Sequence, residues 1–114
     1  MAGLIRIDEE RSWSAAGWVF DHVLSLTRCN LPKQGSSKIV RLMDEAAAGL
    51  NDIPLEQLSV EELSIFRSAL EAAYLQAKRA GSESFSDPEF YPGFMQRFGE
   101  LLALVRKSER SAII

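Results

Sequence analysis

Two residue types that build reactive centres are nearly missing from this chain. It has one cysteine and one histidine among 114 residues. The lone Cys29 excludes an internal disulfide framework and suits a reducing compartment. Zinc sites draw on several Cys or His residues at short spacing, so none is expected. His22 and Cys29 fall on one predicted helix, about two turns or roughly 10 Å apart along its axis. A nucleophile and its base must meet within about 3 Å, so the two make no dyad on that helix. His22 reads as a structural residue at or near the surface, and Cys29 as a small packing residue. The Glu-x-x-His pattern of helical di-metal bundles is absent. The glycines are scattered, and Gly35-Ser36-Ser37 lacks the flanking residues of a phosphate-binding loop. No metal and no cofactor are expected, and the chain does not read as an enzyme.

Long apolar runs are missing too. No window approaches the roughly 20 apolar residues of a membrane helix. The opening MAGLIRIDEERS is not expected to be a signal peptide, because its apolar run stops at Ile7 and acids follow at once. The expected location is cytoplasmic, with no membrane contact. A basic surplus is lacking as well: the net charge is −3, which counts against direct binding of nucleic acid.

What is present is ordinary for a globular domain: 46% hydrophobic and 25% charged residues. The length fits a single domain, residues 1–114. A chain of this size buries about two thirds of its unfolded surface and needs no covalent staple.

The charges are unevenly placed. Residues 23–43 contain no acid but hold Arg28, Lys33, Lys38 and Arg41. Residues 42–66 contain no base but hold Asp44, Glu45, Asp52, Glu56, Glu61 and Glu62. A second base-free run, residues 80–96, holds Glu83, Asp87 and Glu89. Solvated helix ends produce such runs; the sharper reading is an acidic face that steers a basic partner.

Apolar spacing predicts about four helices. The first starts at Ser12 or Ser14, either of which is a suitable N-cap. It ends near Cys29, with Ala16, Val19, Phe20, Val23 and Leu26 facing inward. The second covers residues 37–50 and buries Ile39, Met43, Ala46 and Leu50. Residues 51–58 are expected to hold a single tight turn. The third has the best start signal: Ser59-Val60-Glu61-Glu62 is a capping box. Leu63, Phe66, Leu70, Ala73, Tyr74 and Ala77 follow on one face, and Gly81 is a natural stop. After a loop in which Asp87-Pro88 can open a short helical turn, residues 92–109 bury Phe94, Phe98, Leu101, Leu102 and Val105. The segment Leu4 to Ile7 reads as extended, and the apolar ending Ser111-Ala112-Ile113-Ile114 is a candidate partner for it. The expected fold is all-α: a compact bundle of about four helices with a short extended N-terminal segment.

The aromatics add a second clue. Phe20, Phe66, Phe94 and Phe98 fall on core stripes. Trp13 and Trp18, five residues apart, cannot both lie on the main apolar face of one helix. Phe85, Phe90 and Tyr91 sit among acids in a loop, either closing the bundle or serving as contact anchors. In size, acidity and lack of a catalytic set, the whole chain resembles the small immunity proteins of bacterial toxin systems. The resemblance is one of profile and carries no signature motif. It implies a cytosolic inhibitor that covers the active site of a basic toxin domain with an acidic face. The charge map then nominates Asp44, Glu45, Asp52, Glu56, Glu61 and Glu62 as contacts, with Phe90 and Tyr91 as anchors. Such an inhibitor is a monomer or weak homodimer. The alternative is a regulatory or scaffold bundle that self-associates through Trp18, Leu75 and Leu104.

Overall fold

The computed structural model describes the backbone of residues 2–113 and the side chains of residues 3–107. The chain begins with two strands, β1 (Ala2–Arg6) and β2 (Ser12–Ala16), followed by helices α1 (Gly17–Cys29) and α2 (Ser37–Glu45). A short strand β3 (Asp52–Pro54) then precedes the long helices α3 (Val60–Ala80) and α4 (Tyr91–Ile113). The fold is therefore mostly helical but not purely all-α. A three-stranded sheet in the order β2-β1-β3 closes one side, with β1 antiparallel to β2 and parallel to β3.

The extended N-terminal segment was expected; its two partners were not. Residues 12–16 form a strand rather than the first turn of α1. Ser12 and Ser14 are exposed while Trp13 is buried, the alternation of a half-covered strand. Asp8 makes the hairpin loop, accepting from the backbone N–H groups of Glu10 at 2.9 Å and Arg11 at 2.8 Å. Neither serine caps the helix, which starts after Ala16 with no side-chain cap. The apolar ending does not join the sheet: residues 111–113 continue α4, and Ile114 lies outside the described residues.

The helices bury the expected stripes with two shifts. On α1 the inward residues are Val19, Phe20, Val23, Leu24 and Thr27, while Ala16 is exposed and Leu26 half-buried. The Thr27 hydroxyl satisfies itself on the Val23 carbonyl at 2.7 Å. The second helix ends in a π-helical turn, Ala46–Leu50, broken by Gly49 at φ 126°. The wider turn and the left-handed step carry Leu50 off the apolar stripe and leave it 67% exposed. Instead of one tight turn, residues 51–58 form β3 and a 3₁₀ turn, Leu55–Gln57, which bury Ile53, Pro54 and Leu55.

The capping box is present in full: Ser59 N–H donates to Glu62 at 2.8 Å and Glu62 N–H donates to Ser59 Oγ at 3.1 Å. The third helix then packs along α4. Their outer seam is tied by Glu71, which accepts from Arg67 at 2.9 Å and from Arg106 at 3.1 Å. Burial pushes the Glu71 carboxyl up, but these bonds outweigh it and hold it below its usual range. One cluster, with Ile5, Trp13, Phe20, Phe66, Leu70, Phe98 and Leu101 at its centre, joins the sheet to the helices.

Candidate functional site

The six acids of residues 42–66 were expected to make one face. Folding brings bases onto them. Arg6, from β1, pairs with Asp52 at 3.1 Å and with Glu56 at 2.9 Å. Arg28, from the end of α1, pairs with Asp44 at 2.5 Å. Glu62 is taken up by its cap; the Ser59 backbone N–H, followed by smaller influences that include Lys38 and Arg41, holds its carboxyl below the usual range. The Lys38 ammonium donates to the Gln57 carbonyl at 2.5 Å, so a base from the acid-free run lies against the acidic one. Glu45 and Glu61 remain as exposed carboxylates without an ion pair among the described residues. The blocks of like charge in the sequence are thus interleaved in space, and pairing reduces what four of the six acids can offer a partner.

Phe90 and Tyr91 belong to a different place, where the start of α4 and the preceding loop lie against α1. Trp18 is the centre of this cluster. Its ring stacks on Phe94 at 6.1 Å between centroids and meets Phe85 at 6.3 Å and Phe90 at 5.9 Å. His22, one turn further along α1, touches Phe94 at 4.9 Å and Phe85 at 5.5 Å. Tyr91 packs on Phe85 at 5.7 Å and makes a long 3.4 Å contact to the Lys78 carbonyl. The loop therefore divides its aromatics: Phe85 and Tyr91 turn partly inward, while Phe90 is 51% exposed beside Trp18 at 49%.

These rings border two hollows. One, of about 510 Å³, is lined by Trp18, His22, Phe85 and Phe90 together with Ser84, Ser86 and Asp87. The other, of about 380 Å³, lies across Trp18 and Phe90 and includes Glu89 and Arg97. Arg97 is already engaged: its guanidinium stands 5.5 Å over the Trp13 ring and bonds the Ser14 carbonyl and Glu100. Trp13 in turn donates its indole N–H to the Arg97 carbonyl at 2.9 Å. One tryptophan is thus locked in the core and the other presented, because the chain changes from strand to helix between them.

Comparison with family models, with curated proteins and with solved structures returns no match.

Of His22 and Cys29, only His22 borders one of these hollows. Cys29 is exposed at the far end of α1. Among the described residues, no group of three or more His, Cys, Asp or Glu is placed to hold a metal, and no helix is long and apolar enough to cross a membrane. His22 and Asp87 were not expected as contacts from the sequence; Trp18 was expected only on a self-associating face, and Phe85 only as an alternative anchor beside Phe90 and Tyr91. The signal was there for part of them: an indole off the α1 stripe, and aromatics inside the base-free run 80–96.

Proposed function

We propose that this chain is a protein-binding inhibitor that engages a basic polypeptide through the aromatic groove between α1 and the start of α4. The observation that carries this reading is the pair Trp18 and Phe90, both half exposed with rings 5.9 Å apart. Large apolar rings that meet in the open are typical of contact surfaces, and aromatics of this kind supply most of the binding energy at many interfaces. Asp87 and Glu89 rim the groove, and residues 80–96 contain no base. Aromatic anchors inside a charged rim have the anatomy of a protein interface. Glu45 and Glu61, without an ion pair among the described residues, add long-range attraction that speeds encounter more than it tightens the complex. Covering the cationic active site of a toxin in the cytoplasm, the role of the immunity proteins whose profile the chain resembles, is the form of inhibition that fits a small acidic binder. The work of the chain is binding, not catalysis.

The test mixes the chain with the basic polypeptide encoded by the adjoining gene and reads heat of binding. The expected result is a one-to-one complex that silences the partner. Trp18→Ala and Phe90→Ala each weaken it by about tenfold or more, about 1.4 kcal/mol. No complex, or wild-type affinity in both variants, rejects the reading.

A further inference from the structure

We infer that the larger hollow, between Trp18, Phe85, Phe90 and Asp87, seats an arginine side chain of that basic partner. The inference rests on the proposed role of the groove and names the chemistry that fills it. The hollow, about 510 Å³ in volume, has one carboxylate in its lining, Asp87. That carboxylate makes no hydrogen bond or ion pair among the described residues. Aromatic faces carry a negative quadrupole that attracts a cation. Here they stand beside an unspent negative charge, so both features select the same sign of ligand.

The other occupants fit less well. An apolar side chain would cover the rings but strip water from Asp87 without replacing it, which is costly. An acidic side chain is repelled by Asp87. A lysine is a strongly hydrated point charge, whereas guanidinium is planar, weakly hydrated and able to stack on a ring while bonding a carboxylate with two N–H groups. The chain already uses this chemistry internally, with Arg97 over Trp13 at 5.5 Å. That same Arg97 borders the smaller hollow, so its charge disfavours a second cation there and leaves the Asp87 side as the seat.

The test uses the whole chain, labelled with ¹⁵N, and two blocked pentapeptides. One is acetyl-Gly-Gly-Arg-Gly-Gly-amide; in the other the arginine is replaced by citrulline, which has the same shape and no charge. The indole N–H signal of Trp18 reports binding, and that of buried Trp13 reports that the fold is intact. The expected result is saturable movement of the Trp18 signal, with the arginine peptide tighter by about fivefold. Asp87→Asn, a surface substitution, lowers that preference by removing the carboxylate's share and leaves citrulline binding unchanged. Equal binding of the two peptides, a preference undiminished by Asp87→Asn, or an unmoved Trp18 signal overturns the inference. The two proposals fail separately. A partner complex lost in Trp18→Ala but indifferent to Asp87→Asn keeps the groove and removes the arginine seat.

Discussion

Gly3 lies against the face of Phe20 so closely that a Cβ added to it would stand 2.0 Å from the ring. Both residues are buried, and β1 reaches α1 at this point only because position 3 has no side chain. Gly3→Ala is therefore expected to lower stability by about 1–3 kcal/mol, the usual cost of overpacking a tight core. A urea unfolding midpoint measures it, and Gly3→Ala combined with Phe20→Leu should recover part of the loss. An unchanged midpoint would mean that β1 does not press on α1 in this way. Phe20 was legible in the sequence as a core residue from its spacing with Val19 and Val23. Gly3 was legible only as part of an extended segment, because what makes it necessary is a ring seventeen residues away. Long-range pairing is hidden for the same reason. That Glu62 serves a cap could be read from four consecutive residues, whereas the pairing of Asp52 and Glu56 with Arg6 required β1 and β3 to lie side by side.

At the scale of elements, the sequence was readable where local chemistry decides and misleading where sheet pairing does. The third helix needed only its capping box and its apolar stripe, and it formed where expected. The expectation that the first helix starts at Ser12 or Ser14 rests on either serine being a good cap and on Ala16 falling in phase with Val19, Phe20 and Val23. The competing signal, the strand Ser-Trp-Ser-Ala-Ala, is five residues long and wins only because β1 is available to pair with it. Three-residue β3 has no local signature at all. The capping box gives the test at this scale. Ser59→Ala should cost about 1 kcal/mol, most of it at every pH, since its main loss is the acceptor of the Glu62 backbone N–H. Glu62→Gln should behave differently. The folded chain holds the Glu62 carboxyl below its unfolded value, chiefly through the Ser59 N–H. Its contribution is therefore fully present above the unfolded value and is lost as pH falls through the lowered folded one. Unfolding midpoints of wild type and Glu62→Gln should differ at neutral pH and converge in acid. A gap that persists in acid would show that the carboxylate charge plays no part in the cap.

For the molecule as a whole, the question is whether its exposed apolar surface serves a foreign partner or a second copy. Among the described residues, the large exposed apolar side chains are Trp18, Leu50, Val60, Leu75 and Phe90. They come from α1, the end of the second helix, both ends of the α3 region and the turn before α4, and scattered single residues of this kind are normal on a monomer. Ring contact joins only Trp18 to Phe90. Leu104, which was expected to complete a self-associating face with Trp18 and Leu75, packs instead against the core. A stable homodimer needs a broad self-complementary patch, on the order of 800 Å² per partner, and two half-exposed rings do not supply it. Acids rimming the groove would also oppose each other across a two-fold axis, where each residue tends to meet its own copy or near neighbours. Sedimentation velocity over a wide concentration range should therefore show a monomer. A dimer that Phe90→Ala abolishes would assign the groove to a second copy and withdraw the basic partner. A dimer that survives Phe90→Ala and Trp18→Ala but is lost in Leu75→Lys would place self-association on α3 and leave the groove free for the partner proposed.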